Sequence, residues 1–331
     1  MVGERGDKLV TTQPIVREFE ADLKVVAAVE AATDVVTLTL AAEDGTALPP
    51  WTPGAHIDLV LGEDLVRQYS LCGSPADTGQ YRVGVLRAPD SRGGSKAVHA
   101  ELHEGATVRV RGPRNHFPLV ASPRYLFIAG GIGITPMLPM IAEAEASGAD
   151  WRLVYGGRSR SSMAFVDELA AYGDKVTLLP QDEAGFPDLD ALLGSPAEGT
   201  LVYTCGPTGL LDAVEERCNA SWPAGSLHLE RFSAKAPTSD EQDSAFELVL
   251  QRSGLTLEVP ADKSIFEVCR EAGVSVVGSC LEGVCGTCET EVVEGDVEHR
   301  DSILNEEEKE SNEFMMICVS RCRGESLTLD L

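Results

Sequence analysis

The sequence predicts a multi-domain fold: an antiparallel β-barrel, then an α/β unit on a parallel sheet, then a compact α+β unit. Three observations predict it. Residues 22–120 run in short β-rich pieces broken by Gly and Pro clusters, and residues 121–232 alternate strand-like with helix-like stretches. Residues 246–331 carry the spacing Cys280-Leu-Glu-Gly-Val-Cys285-Gly-Thr-Cys288 and, a segment later, Cys318. A chain of 331 residues is long enough for each part to bury its own core. Residues 1–21 read as a polar lead-in and residues 233–245 as a polar linker.

Barrel strands are expected at residues 23–29, 35–40, 56–61, 66–71, 81–87 and 107–111, with no long amphipathic helix between them. Two places among them carry chemistry. Arg67-Gln68-Tyr69-Ser70 suits a flavin, with a cation for phosphate, a flat ring for the isoalloxazine and a hydroxyl near its N5. The plain alternative is an edge strand that happens to hold Arg and Tyr. Asp90-Ser91-Arg92-Gly93-Gly94-Ser95 opens a helix at 96–102, where unpaired N–H groups and the dipole favour an anion. Ser95 as a simple N-cap is the alternative there. Arg67 and Arg87 bring further positive charge to the same phosphate.

Beyond Pro123, strands at 125–129, 152–155, 176–179, 201–205 and 226–232 alternate with helices ending near 145 and at 164–172, 189–193 and 208–218. That alternation implies a parallel sheet with ligands at the carboxyl ends of its strands. Gly130, Gly131 and Gly133 leave backbone close to a diphosphate, and Thr135 adds a hydroxyl. Cys205-Gly206-Pro207 ends another strand where a nicotinamide fits. Glycines at strand–helix turns are common without a ligand. Beside a flavin site and a redox cluster, a hydride donor is the economical explanation.

C-x4-C-x2-C…C is the plant-type arrangement for a [2Fe-2S] cluster. A loop that wraps a small, sulfide-rich cluster takes three ligands from one turn and a fourth from elsewhere. Gly278, Gly283 and Gly286 let backbone N–H groups face the sulfurs. Zinc sites favour paired C-x2-C units instead. Cys280, Cys285, Cys288 and Cys318 are therefore the expected ligands. Around them are expected a hairpin at 246–250 and 255–259, helices at 264–271 and 305–314, and strands at 289–293, 316–319 and 326–331. Cys72, Cys205, Cys218, Cys269 and Cys322 read as reduced thiols, Cys269 within the core.

Net charge is −26 and the pI about 4.5, which argues against non-specific nucleic-acid binding. From Asp240 to Leu331 there are 22 Asp and Glu against 7 Lys and Arg, so over half the net charge lies there, a surplus able to steer a basic partner. The sequence has no apolar run of membrane-spanning length and no secretory pattern at its start, so a cytoplasmic location without membrane attachment is expected.

Arg67-Gln-Tyr-Ser, Gly130-Gly-Ile-Gly-Ile-Thr-Pro-Met, Cys205-Gly-Pro and the cysteine loop stand in one order, and over residues 22–331 that order resembles the phthalate dioxygenase reductase family. These are iron-sulfur flavoproteins of the ferredoxin-NADP reductase superfamily with a ferredoxin fused at the C-terminus. The resemblance implies an FMN-binding β-barrel flavin domain at 22–120, an NAD-binding α/β nucleotide domain at 121–232 and a β-grasp ferredoxin domain at 246–331. By matching position, Arg67 pairs with the flavin phosphate, Tyr69 packs on the isoalloxazine and Ser70 bonds near N5. Arg92, Gly93, Gly94 and Ser95 hold the FMN phosphate, and Phe232 in His228-Leu-Glu-Arg-Phe covers the other flavin face until nicotinamide displaces it. Asn115 and Phe117 match a family segment without an assigned role.

One departure stands out. Arg158-Ser159-Arg160-Ser161 replaces an acidic residue of some relatives and suits a 2′-phosphate as well. NADH is the expected donor, because the family mostly uses it, and NADPH the alternative. The resemblance further implies a reductase component that passes electrons from the nucleotide through FMN and the cluster to a terminal oxygenase. That oxygenase would be Rieske-type or haem-type, acting on an aromatic compound. Ser70, Cys205 and Phe232 would flank the hydride transfer, with no general acid assigned. A redox sensor or scaffold that holds its cluster without turnover is the competing class, and an oxidase reducing oxygen directly is a third.

Overall fold

Alternating apolar residues bury one side of each early strand and make six segments into one antiparallel sheet. The computed structural model describes residues 19–62, 65–89, 91, 93–233, 243–304 and 306–331. Most of the expected lead-in and linker, and Asp90 and Arg92, lie outside the described residues. β1 (Glu20–Ala32), β2 (Val35–Ala41), β3 (His56–Gly62), β4 (Leu65–Ser70), β5 (Gln80–Leu86) and β6 (Thr107–Arg114) pair in the order β4-β3-β6-β1-β2-β5. A bridge between Leu71 and Val83 ties the end of β4 to β5 and closes the barrel. Val25, Leu38, Ile57, Leu59, Val85 and Val110 fill it. Between β5 and β6 lies α1 (Gly94–Glu101), which starts two residues before its expected position, with Gly93 as N-cap.

The second sheet is wholly parallel. Its elements are β7 (Arg124–Gly130), α2 (Met137–Ala146), β8 (Asp150–Gly157), α3 (Val166–Leu169), β9 (Val176–Pro180), α4 (Gln181–Ala184), α5 (Leu189–Leu193), β10 (Thr200–Cys205), α6 (Thr208–Ser221) and β11 (Leu227–Glu230). Their strand order is β11-β10-β7-β8-β9. Covered on both faces, β7 is buried at every position from Tyr125 to Gly130, as a central parallel strand requires. The order reverses between β7 and β10, so the loops after those strands face one crevice. The helix expected at 164–172 is broken: α3 is a single turn entered from Phe165 at φ +63°, and Gly173 leaves helical geometry in the 3-10 turn that follows.

The third unit is a β-grasp. It comprises β12 (Phe246–Leu250), β13 (Leu255–Val259), α7 (Ile265–Glu271), β14 (Glu289–Glu294), β15 (Val297–Glu298), α8 (Glu306–Ser311), β16 (Phe314–Met316), β17 (Arg321–Cys322) and β18 (Ser326–Leu329). The main sheet runs β13-β12-β18-β14-β16, parallel only between β12 and β18. A capping box between Ser264 and Glu267 starts α7, whose Ile265, Phe266, Val268 and Cys269 enter the core. The strand expected at 316–319 ends at Met316. The N–H groups of Val319 and Ser320 both return to the Met316 carbonyl, and the resulting turn carries Cys318.

One apolar cluster joins the first two units, placing Val35, Cys72 and Phe117 against Phe127, Met140 and Tyr203. Arg82 adds two bonds to Glu168, at 2.8 and 2.9 Å, and lies over the Phe165 ring. Asn115 and Phe117 have a structural role here: Asn115 donates to the Pro53 carbonyl and Thr52 hydroxyl and accepts the Phe117 N–H, which points Phe117 into the cluster. Among the described residues no helix is long and apolar enough to cross a membrane. Phe117 is 4% exposed. Urea denaturation of Phe117→Ala is therefore expected to show a loss of about 3 kcal/mol, the cost of truncating a buried ring.

Candidate active site

Glycine-loosened backbone and one turn bring four sulfurs together. The free Cys280 thiol interacts with those of Cys285 and Cys318, and the Cys318 thiol with that of Cys288. The Glu282 N–H donates to Cys280 Sγ at 3.3 Å, the Val284 N–H points at the same sulfur, and the Gly283 N–H at that of Cys318. N–H groups aimed at sulfur stabilise thiolates and the metal they hold. Gly283 has φ +68°, and a Cβ there would stand 2.6 Å from the Val319 side chain. Gly286 has φ +71°, and a Cβ there would stand 2.7 Å from His116 Cε1. Among the described residues no three His, Cys, Asp or Glu surround a single ion. Four converging thiols with backbone donors nevertheless fit a binuclear cluster, in which each iron takes two sulfurs. Cys322 is spent elsewhere, donating to the Ser326 carbonyl and accepting the Gly324 N–H.

β4 and the glycine turn before α1 lie against each other, and several polar side chains near them are held by other partners. The Arg67 stem lies on the N-terminus of α1: a Cβ on Gly94 would stand 2.4 Å from Arg67 Cγ. Tyr69 is partly buried against the barrel core, and burial pushes its hydroxyl up to about 12, against the pull of Arg67. Ser95 does not cap the helix, because its hydroxyl accepts the Ala88 N–H at 3.1 Å from inside the first turn. Arg87 is held by Asp34, donating from Nε at 3.0 Å and from Nη2. Its charge is thereby balanced at the β1–β2 turn, where the side chain stays exposed.

At the crevice between β7 and β10 the glycines have different jobs. Gly131, at φ +54°, has nothing within 4 Å of where a Cβ would stand and lies open to a ligand. A Cβ on Gly133 would stand 2.3 Å from the Cys205 carbonyl oxygen, and one on Gly206 2.9 Å from Gly130 backbone. These residues pack the two loops against each other, with Pro207 Cδ 2.6 Å from the Cβ position of Gly130. Thr135 donates its hydroxyl to the Ile132 carbonyl at 2.9 Å and is buried, so it closes the 3-10 turn Gly131–Ile134 instead of offering itself to a diphosphate. After β8, Ser159 and Ser162 cap each other, Arg158 is exposed, and Arg160 lies 3.9 Å from Glu183. The Thr33 N–H donates to Ser161 O at 2.8 Å and docks this loop on the barrel.

Beside Cys205 sits a residue that the sequence reading passed over. Glu230 is its register partner on β11, a half-buried residue whose carboxyl atom Oε2 is shut away from solvent. Burial raises the carboxyl to about 8 despite a hydrogen bond from Ser70, and its Oε2 has no partner among the described residues. Burial first, then Glu230, push the Cys205 thiol well above the ordinary range, so it is neutral. The clue was available in His228-Leu-Glu-Arg-Phe, an acid on the last parallel strand. Reading it needed the β10–β11 register.

These parts share one cavity of about 90 Å³, which Ser70, Glu230, Phe232 and His56 line with Cys280 and Cys285. Phe232 is 44% exposed, an aromatic ring left open beside the pocket. His56 Nε2 is a second orphan, and burial drives that imidazole down to about 3, leaving it neutral. Orphaned polar atoms, an open aromatic face and an arginine at a helix N-terminus fit a flavin next to the cluster loop. A larger cleft of about 450 Å³, between Cys72, Arg82, Pro139 and Glu168, is the joint of the first two units and holds none of this chemistry.

Residues 248–323 match the 2Fe-2S iron-sulfur cluster binding domain, and residues 127–216 the oxidoreductase NAD-binding domain. The phenoxybenzoate dioxygenase subunit beta of Ectopseudomonas oleovorans is 44% identical over 312 residues, 93% of this chain and 97% of that protein. The phthalate 4,5-dioxygenase oxygenase reductase subunit of Pseudomonas putida is 39% identical over 315 residues, 93% and 96%. Among solved structures, phthalate dioxygenase reductase matches with a TM-score of 0.69 at 35% identity, covering 94% of this chain and 98% of that one. An intact type IV self-sufficient cytochrome P450 monooxygenase matches with a TM-score of 0.89 at 44% identity, and this chain spans 41% of its length. Near-complete mutual coverage by oxygenase reductases places this chain in the phthalate dioxygenase reductase family, as an FMN-, NAD- and [2Fe-2S]-binding oxidoreductase and the reductase component of an oxygenase system.

Proposed function

We propose that this chain accepts hydride from NADH beside Ser70, Cys205 and Glu230 and delivers single electrons to a Rieske-type oxygenase acting on an aromatic compound. The shared pocket carries the reading, since it sets Ser70, Glu230 and Phe232 against Cys280 and Cys285. Bound FMN turns paired electrons into single ones, and the cluster relays them singly. The chain's own residues bind and orient. Arg67, Arg92, Gly93 and Gly94 take the phosphate, Tyr69 and Phe232 flank the ring, and Gly131, Gly206 and Pro207 receive the nucleotide. Cys280, Cys285, Cys288 and Cys318 hold the cluster. The domain limits that go with this reading are 22–120, 121–232 and 246–331, and its location is cytoplasmic.

Support for a Rieske-type partner on an aromatic compound comes from several relatives matched over nearly their whole length and named for phenoxybenzoate dioxygenase, phthalate 4,5-dioxygenase and vanillate O-demethylase. Beside them stand others named for carnitine monooxygenase. A haem partner is the second reading, favoured by the 44% identity to a self-sufficient P450. Reconstituted turnover with each oxygenase type separates them.

Three outcomes are expected. Cys285→Ser loses cytochrome c reduction by at least about a hundredfold while NADH still bleaches the flavin; loss of both together contradicts the assigned order. For the donor, Glu183 beside Arg160 weakens the case for a 2′-phosphate. kcat/KM should therefore favour NADH over NADPH by about tenfold or more, and the reverse ratio reassigns the donor.

The third concerns Glu230, which holds a proton in the pocket at neutral pH and loses it as pH rises through about 8. Stopped-flow bleaching should slow across that range, and Glu230→Gln should flatten the profile. The unfolded chain ionises this group near 4.5 and the folded one near 8, so the carboxyl erodes stability as pH rises between them. Melting temperatures at pH about 9 should accordingly favour Glu230→Gln over the parent.

A further inference from the structure

Two contacts join the cluster loop to the barrel, and each ends one residue from a cluster ligand. Gln68 stands on β4 between Arg67 and Tyr69, yet its side chain reaches the third unit. Nε2 donates to Asp58 Oδ1 at 3.1 Å and to Ser279 Oγ at 2.7 Å, which uses both amide hydrogens. Asp58 is 1% exposed and accepts from Arg114 Nη2 at 2.5 Å, so the amide is held in one orientation. Ser279 is buried and covalently precedes Cys280. At the second contact the His116 imidazole covers Gly286, the residue after Cys285, with ring atoms 2.7 to 3.1 Å from where a Cβ would stand. His116 also stacks on His56, a wall of the shared pocket, at 5.9 Å.

We propose that Gln68 and Ser279 are positioning residues: their hydrogen bond, with His116 on Gly286 as the second point, seats the cluster loop on the flavin strand and sets how fast an electron crosses. This rests on the function proposed above. In the crossing the flavin gives one electron and the cluster takes it; no bond forms or breaks, and the amide and hydroxyl protons stay in place. Units joined by a small contact move relative to each other by default. A single bond between a half-buried amide held by Asp58 and the buried Ser279 hydroxyl therefore has leverage over a distance on which electron transfer depends steeply.

The test uses the full-length holoprotein as parent, Ser279→Ala, Gln68→Ala and the double variant. Stopped-flow spectroscopy follows flavin bleaching by NADH and then the arrival of electrons at the cluster, and hydrogen exchange without NADH follows residues 278–288. Ser279→Ala is expected to keep parental bleaching, with iron and sulfide content unchanged, while cluster reduction slows about tenfold and loop exchange rises. The double variant should be no slower than the slower single, because both remove one bond. Parental cluster reduction in both singles, unchanged loop exchange, or additive slowing in the double overturns the seat. Should Ser279→Ala fail to retain iron, Gln68→Ala, outside the β-grasp, decides by the same two readouts. Absence of bleaching in the parent itself overturns both the seat and the reading beneath it.

Discussion

The constraint on which this molecule depends is that three units, the first two sharing an apolar cluster, meet at one small pocket. The last residue of β4, Ser70, bonds the last residue of β11, Glu230, and the cluster loop contributes Cys280 and Cys285 to the same wall. Barrel closure fixes the first, the parallel register Cys205 to Glu230 fixes the second, and the turn after β16 fixes the loop. Among the described residues each unit keeps some buried polar atoms without a partner, such as Trp51 Nε1, Tyr155 Oη and His299 Nε2. Their meeting point leaves polar atoms on His56 and Glu230 without partners. Such orphans cost stability wherever they are buried. In a redox protein they are where a cofactor's own donors and acceptors belong.

The same pocket accounts for the charge state of its walls. Burial makes His56, Cys205 and Glu230 all neutral at pH 7, although an imidazole, a thiol and a carboxyl titrate over very different ranges in water. Fixed charge on the pocket wall comes from other residues, Arg67, Arg231 and Glu282. Of these Arg67 also reaches the helix terminus, where it meets Gly94. Acid is concentrated instead on the third unit, outside the pocket, in places such as α8 with Glu306, Glu307 and Glu308.

Legibility in the sequence followed how local each feature is. The cluster loop was readable because three of its ligands lie in nine residues, and glycines at Gly283 and Gly286 mark the geometry they need. The parallel sheet was readable from the alternation of strand-like and helix-like stretches beyond Pro123. Glu230 was not, because its significance comes from standing beside Cys205 on a neighbouring strand. Arg87 was assigned to a phosphate by its charge, and Ser95 by its place at a helix start and in a matching family segment. The structure spends Arg87 on Asp34 and the Ser95 hydroxyl on Ala88, partners no spacing rule points to. Thr135 misled for the same reason, with its own turn taking the hydroxyl that a diphosphate was expected to use.

Glycine at Gly286 shows why the two redox parts of the chain are one design rather than two domains in a row. Its φ of +71° is what a cluster loop needs to turn, a reason internal to the ferredoxin unit. The space beside it is what His116 of the barrel needs, a reason external to that unit. A side chain at this position would therefore strain the loop and push the barrel away together. Gln68 carries the same double constraint from the opposite side: it follows Arg67 in the flavin strand, and it gives one amide hydrogen to the barrel and the other to Ser279. Residues answerable to two units at once hold the pocket together, and on each strand or loop they stand next to the residues that bind a cofactor.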